Sequence, residues 1–222
     1  MRGQQKITVL IADDHPMVRE GLRSMLREEG IRVVDEAKNG REAVRKAKAL
    51  SPQILLLDIR MPDMDGLAAL RAIKEEQPAV SVIMITIYEN PGYLLKAVAA
   101  GAAGYLLKGI SRDELVEVIH RIADGESLID RKLLREVIEN LIQERGKTTA
   151  IDEEALERIE ALTIREREVL RLIVEGLSTR EIAEVLDVGE GTVKTHVHHI
   201  ITKLHVSDRT QAAVWAVQNG LV

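Results

Sequence analysis

Five times between residues 6 and 125, the chain passes from a short apolar run to a segment of helical period. The first cycle sets the pattern. KITVLIADD (6–14) is a strand-like run, and Val18, Leu22, Met25 and Leu26 then share one helical face, closed by Gly30. The later strands read as 31–36, 53–58, 80–86 and 103–108. The later helices read as 43–50, 67–76, 93–100 and a segment opened by Ser111, where Ser111 and Glu114 form a capping box. Regular alternation predicts a five-stranded parallel sheet with helices on both faces, a doubly wound, flavodoxin-like α/β domain. Val, Ile and Leu occupy both faces of the strands, as a sheet covered on both sides requires.

In such a sheet all strands end on one edge, and ligands bind there. Strand one ends at Asp13 and Asp14, strand three at Asp58, strand four at Thr86 and strand five at Lys108. A lone acid at a strand end is usually a loop residue, and an acidic pair before a helix can serve as a cap. Three carboxylates, a hydroxyl and an ammonium on one rim are a stronger signal. Crowded carboxylates repel unless a cation lies among them. Mg²⁺ takes such oxygen ligands. A metal beside a lysine neutralises a phosphoryl group in transfer, and aspartate is a nucleophile in that chemistry. In ILLLDIRMPDMDG (54–66), a rigid buried strand thus delivers Asp58 to the rim, and the turn to Gly66 brings backbone alongside.

The 222 residues suit two domains. With no Phe, aliphatic side chains must build both cores. Absence of Cys excludes disulfides and thiolate metal sites and fits a cytoplasmic setting. No apolar run reaches the ~20 residues of a membrane span, and no signal-peptide pattern opens the chain.

Residues 129–145 carry a helical stripe of Leu133, Leu134, Val137, Ile138, Leu141 and Ile142. It suits a linker helix packed on a domain or a dimerising helix equally. GKTTAIDEE (146–154) reads as a hinge. From 155 onward the pattern is helical. Thr163 with Glu166 and Ser178 with Glu181 form capping boxes, and Ser207 is the expected cap of the last helix. A short helix, a Gly-containing turn and a longer helix (192–204) read as helix-turn-helix. Val193, Val197, Ile200 and Leu204 form the apolar face of the longer helix. Thr192, Lys194, Thr195, His198 and Lys203 lie on the other.

Charge argues weakly for DNA. The net charge is −5, and residues 155–222 hold eight Lys or Arg against ten Asp or Glu. A plain helical bundle fits that balance. Residues 192–209, however, hold three Lys or Arg and four His against one Asp. Such a module should bind weakly as a monomer, so dimerisation would matter.

IADDHPMVREGL, LLLDIRMPDMDG, Thr86 and GYLLKG resemble the receiver domain of two-component response regulators across residues 6–125. From LTIREREVL onward the chain resembles the LuxR-type helix-turn-helix, an all-α four-helix domain, and the pairing resembles the NarL/FixJ family. The resemblance implies a receiver at 1–127, a linker helix and hinge at 128–154 and a DNA-binding domain at 155–222. It implies Asp58 as phosphoacceptor for a sensor histidine kinase, with Mg²⁺ held by Asp13, Asp14, Asp58 and the backbone carbonyl of Arg60. Lys108 would pair with phosphoryl oxygens, and Thr86 and Tyr105 would form the switch. Lys194, Thr195 and His198 would face base edges of double-stranded DNA, and Thr192 and Lys203 would reach phosphates. A homodimer on phosphorylation and contact with RNA polymerase would follow. Gly109 stands where many receivers have a cis proline. Ile87 and Tyr88 are large beside the switch Thr, which would slow loss of phosphate from Asp58.

Two rivals remain. An aspartyl-nucleophile phosphatase of the haloacid-dehalogenase type wants a second Asp two residues after the nucleophile. Arg60 stands there, so the chain is not expected to be a turnover enzyme; it would assist only its own phosphorylation and dephosphorylation. A degenerate receiver that is never phosphorylated would bind DNA regardless of Asp58.

Overall fold

The computed structural model describes residues 6–27, 30–87, 91–126, 128–129, 134–139 and 153–221. Two compact units result, Met1–Leu128 and Ile129–Val222.

In the first unit the order is β1 (Ile7–Ala12), α1 (Pro16–Met25), β2 (Ile31–Ala37), α2 (Gly40–Leu50), β3 (Ile54–Asp58), α3 (Gly66–Glu76), β4 (Ser81–Thr86), α4 (Pro91–Ala99), β5 (Ala102–Leu107) and α5 (Arg112–Ala123). All neighbouring strands pair in parallel, in the order β2-β1-β3-β4-β5. The order reverses between β1 and β3, so a crevice opens at their C-terminal ends. β3 and β4 are buried along their whole length.

Strand alternation divides the core into two layers. Leu10, Leu55, Leu57, Val82 and Met84 pack with Ala43 and Ala47 of α2 and Leu70 and Ile73 of α3. Val9, Ile11, Leu56, Ile83 and Ile85 pack on the other face with Leu22 of α1 and Leu115 and Ile119 of α5. The helices start where the sequence supplies caps. Asn39 accepts from the Glu42 amide, Asp65 from the Ala68 amide, and Ser111 with Glu114 completes its box.

The second unit holds a helical stretch at 134–139, then α6 (Glu153–Glu160), α7 (Ile164–Val174), α8 (Thr179–Leu186), α9 (Glu190–Leu204) and α10 (Arg209–Gln218). Leu134 and Ile138 join its core with Val169, Ile173, Val193, Ile200 and Ala213. That part of the expected linker stripe therefore packs on the C-terminal unit. Leu133, Leu141, Ile142 and residues 146–152 of the expected hinge lie outside the described residues. The hinge reading ends at Glu153, where α6 begins and adds a helix to the four expected.

Both capping boxes of this unit form, at Thr163–Glu166 and Ser178–Glu181. The last cap differs from expectation. Asp208, not Ser207, is the N-cap of α10: it accepts from the Gln211 amide at 3.0 Å, and Ser207 Oγ donates to its other oxygen at 2.7 Å. The carboxylate spreads the two donors over its two oxygens, and the Ser207 hydroxyl is itself one of those donors rather than the cap. Asp208 is fully buried. Asp208→Ala should therefore lower stability by about 2 kcal/mol, the upper end for a lost cap; urea unfolding followed by the fluorescence of Trp215 would read it.

Candidate phosphoacceptor site and helix-turn-helix

Asp13 and Asp58 leave β1 and β3 side by side at the crevice, 1% and 5% exposed. Lys108, just past β5, joins them: its Nζ lies 2.6 Å from Asp13 Oδ2 and 3.0 Å from Asp58 Oδ1. The Lys108 amide donates to the Thr86 carbonyl at 2.6 Å, which fixes the residue on the rim. Gly109 follows with φ +120°, a left-handed conformation that suits glycine.

Burial pushes the Asp58 carboxyl above its ordinary value, although Lys108 pulls the other way. Burial pulls the Lys108 ammonium toward neutrality, but Asp13 and Asp58 outweigh it and raise its pKa. The charge of each group therefore supports that of the other against burial. Asp14 is half-buried. Its buried Oδ1 lies 2.6 Å from His15 Nδ1. Carboxylate oxygens of Asp13 and Asp14 and a ring nitrogen of His15 lie within 4.8 Å of one another, a donor set that fits a divalent cation.

Thr86 is 1% exposed at the end of β4, and its hydroxyl is hydrogen-bonded with that of Tyr105. Burial raises the Tyr105 phenol above its ordinary pKa. Ile87, expected beside the site, is 65% exposed, and Tyr88 lies outside the described residues. Arg60 is exposed after β3.

Four further residues flank the rim. His15 donates its amide to Asp13 Oδ1 at 2.8 Å, and its ring lies beside Asp14. Arg19 of α1 donates to the Asp13 carbonyl at 2.8 Å and to Glu36 of β2 at 3.1 Å. Arg23 also pairs with Glu36. His15 stood in the motif, but its role needed geometry. Arg19 and Glu36 meet only through the β1–β2 register.

In the second unit, the turn between α8 and α9 runs through Asp187, whose φ is +52°. α9 buries Val193, Val197, Ile200 and Leu204 and exposes Thr192, Lys194, Thr195 and His198. Thr195 also donates its hydroxyl back to the Gly191 carbonyl at 3.0 Å. Lys203 is set apart: its Nζ lies 2.7 Å from Oε2 of Glu166 on α7.

Residues 9–120 match the response regulator receiver domain family, and residues 160–216 match the bacterial regulatory proteins of the luxR family. The transcriptional regulatory protein LnrK of Bacillus subtilis is 40% identical over 216 residues, 97% of this chain and 98% of that protein. The nitrate/nitrite response regulator protein NarL of Escherichia coli is 36% identical over 222 residues, 100% of both chains. The structure of a two-component response regulator RcsB–DNA complex aligns with a TM-score of 0.53 and 25% identity, covering 96% of this chain and 99% of that one. An α/β receiver of this topology, an acidic rim at its switch point and a trailing helix-turn-helix agree with each of these matches, and the chain belongs to the two-component response regulators that carry a LuxR-type DNA-binding domain.

Proposed function

We propose that the protein is a transcription regulator switched by phosphorylation of Asp58. The observation that carries this reading is the Lys108 ammonium shared by Asp13 and Asp58 at the crevice. An Asp58 carboxylate oxygen attacks the phosphorus of a phosphohistidine on a sensor kinase; the O–P bond forms as the N–P bond breaks, and the imidazole leaves with the electron pair. Asp13, Asp14, Asp58 and the Arg60 carbonyl would hold Mg²⁺, which supplies charge neutralisation at the phosphoryl group. Lys108 is placed to exchange Asp58 for phosphoryl oxygens, and the Thr86 hydroxyl to leave Tyr105 for the same group. A phosphoryl group adds roughly −1.5 to −2 charge, enough to bias a two-state element.

The reading assigns the receiver to 1–127, the linker to 128–154 and the DNA-binding domain to 155–222. Lys194, Thr195 and His198 face bases in the major groove of double-stranded DNA, and Thr192 reaches a phosphate. Binding is as a dimer, formed or unmasked on phosphorylation, with RNA polymerase as a further partner. The rim acts on its own phosphoryl group and turns over no other substrate. Among the described residues no helix is long and apolar enough to cross a membrane, and we assign the cytoplasm as its place of action.

The test is to incubate the protein with Mg²⁺ and acetyl phosphate, then record intact mass beside gel filtration. One phosphoryl group, absent in Asp58→Ala, with a larger apparent size, is the expected result. Modification that persists in Asp58→Ala would overturn the assignment.

A further inference from the structure

The stretch 192–209 owes its basic character to Lys194, Lys203, Arg209 and four histidines. Lys203 and Arg209 are each held inside the domain by contacts to another helix or turn. Arg209 donates to the Leu177 carbonyl at 2.7 Å and to Thr179 Oγ1 at 3.1 Å, tying the α7–α8 turn to α10. Lys203, in the last turn of α9, is bound to Glu166, whose side chain is 3% exposed.

Glu166 is an unusual partner. Its Oε2 also accepts from the Thr163 amide at 2.7 Å and the Thr163 hydroxyl at 2.9 Å, so one oxygen closes the α7 capping box and holds Lys203. Its Oε1 lies 3.8 Å from Nδ1 of His199, also on α9. Burial would raise the Glu166 carboxyl, but Lys203 and the Thr163 donors outweigh it and hold its pKa below the ordinary range. The carboxylate is thus charged at neutral pH. On the neighbouring side, Arg158 of α6 donates to the Leu204 carbonyl at 3.2 Å. The C-terminal end of α9 is held from two directions.

We propose that Glu166 is a specificity-determining residue: it withholds Lys203 from DNA phosphates and so limits binding that does not read sequence. Phosphate contacts supply essentially all of non-specific affinity. A regulator that must find one site gains discrimination when fewer of its cations reach the backbone. The inference rests on reading α9 as the helix that enters the groove.

The test measures how the affinity of the full chain for a random-sequence duplex changes with salt. Each phosphate contact contributes roughly 0.9 to the slope of log affinity against log salt. Lys203→Gln should leave the wild-type slope unchanged. Glu166→Gln keeps the capping box, because glutamine also accepts from the cap amide, and removes the charge that holds Lys203. It should steepen the slope by roughly 0.9, one new phosphate contact. The double variant should return to the wild-type slope. A protein whose Glu166 serves only to stabilise the fold would show no steepening. A shallower slope for Lys203→Gln, or an unchanged slope for Glu166→Gln, overturns the proposal. Lys194→Gln, on the exposed face of α9, is the control and should weaken binding to the duplex. If it does not, the α9 reading fails and takes the inference with it. If Glu166→Gln does not fold, Lys203→Gln decides alone against that control.

Discussion

Gly66→Ala is expected to destabilise the N-terminal unit by about 3 kcal/mol, at the upper end for an overpacked site. The midpoint of thermal unfolding should fall by roughly 10 °C. Gly66 opens α3, and its amide donates to the Ile59 carbonyl at 2.8 Å. A Cβ there would lie 2.0 Å from the Asp58 carbonyl oxygen and 2.9 Å from the Asp58 carbonyl carbon and the Ile59 Cα. Every one of these is backbone, so no side chain can rotate away. Alanine in a helix would by itself gain up to about 1 kcal/mol over glycine; the clash is larger and decides the sign. Relief comes only by moving α3 or the peptide that carries Asp58, so phosphoryl uptake should fall with stability. Gly21 in α1 gives the contrast. A Cβ at Gly21 would meet nothing within 4 Å, and Gly21→Ala should be neutral or stabilising. Circular dichroism melts of the two variants check both signs.

Lys108→Met should cost about 3 kcal/mol at pH 8, as expected when one partner of a buried charge pair is removed. The loss should shrink markedly near pH 4. Lys108 is the shared cation of two carboxylates whose side chains are 2% and 6% exposed. Burial already holds the Asp58 carboxyl above its ordinary value, and Asp13 adds to the rise. Without the ammonium, only the backbone hydrogen bond from Ile59 still opposes them. A carboxyl whose folded pKa exceeds its unfolded value stabilises the fold below the unfolded pKa. That contribution is lost as pH rises through the folded pKa. The variant therefore loses most at neutral and alkaline pH, and the wild type changes less over the same span. Urea midpoints across pH 4–8 give the comparison. An equal loss at every pH would mean that Lys108 contributes only packing.

Much of the fold could be read from local pattern. β3 and β4 are apolar on both faces because both faces are covered, and the boxes at Ser111, Thr163 and Ser178 use residues three apart in sequence. The strand-end acids were legible because a parallel sheet places all strand ends on one edge. Contacts that depend on packing were not. Glu36 reaches Arg19 only through the β1–β2 register. Glu166 meets Lys203 across 37 positions, so the sequence offered Lys203 to DNA while the fold gave it a carboxylate. Ser207 and Asp208 are both competent caps, and only the buried geometry selects Asp208. The segment EEALERIE lies mostly in the stretch read as helical from 155, but that Arg158 reaches α9 could not be read from it.

If Asp58 controls the DNA-binding unit, its phosphorylation must change how the full chain holds DNA. The affinity for a short random-sequence duplex at fixed salt, with and without acetyl phosphate and Mg²⁺, for wild type and Asp58→Ala, reads that coupling. Tighter binding by the treated wild type alone is expected, with Asp58→Ala held at the untreated level. Equal affinity in all four samples, with the wild type shown by mass to be phosphorylated, would contradict control by Asp58.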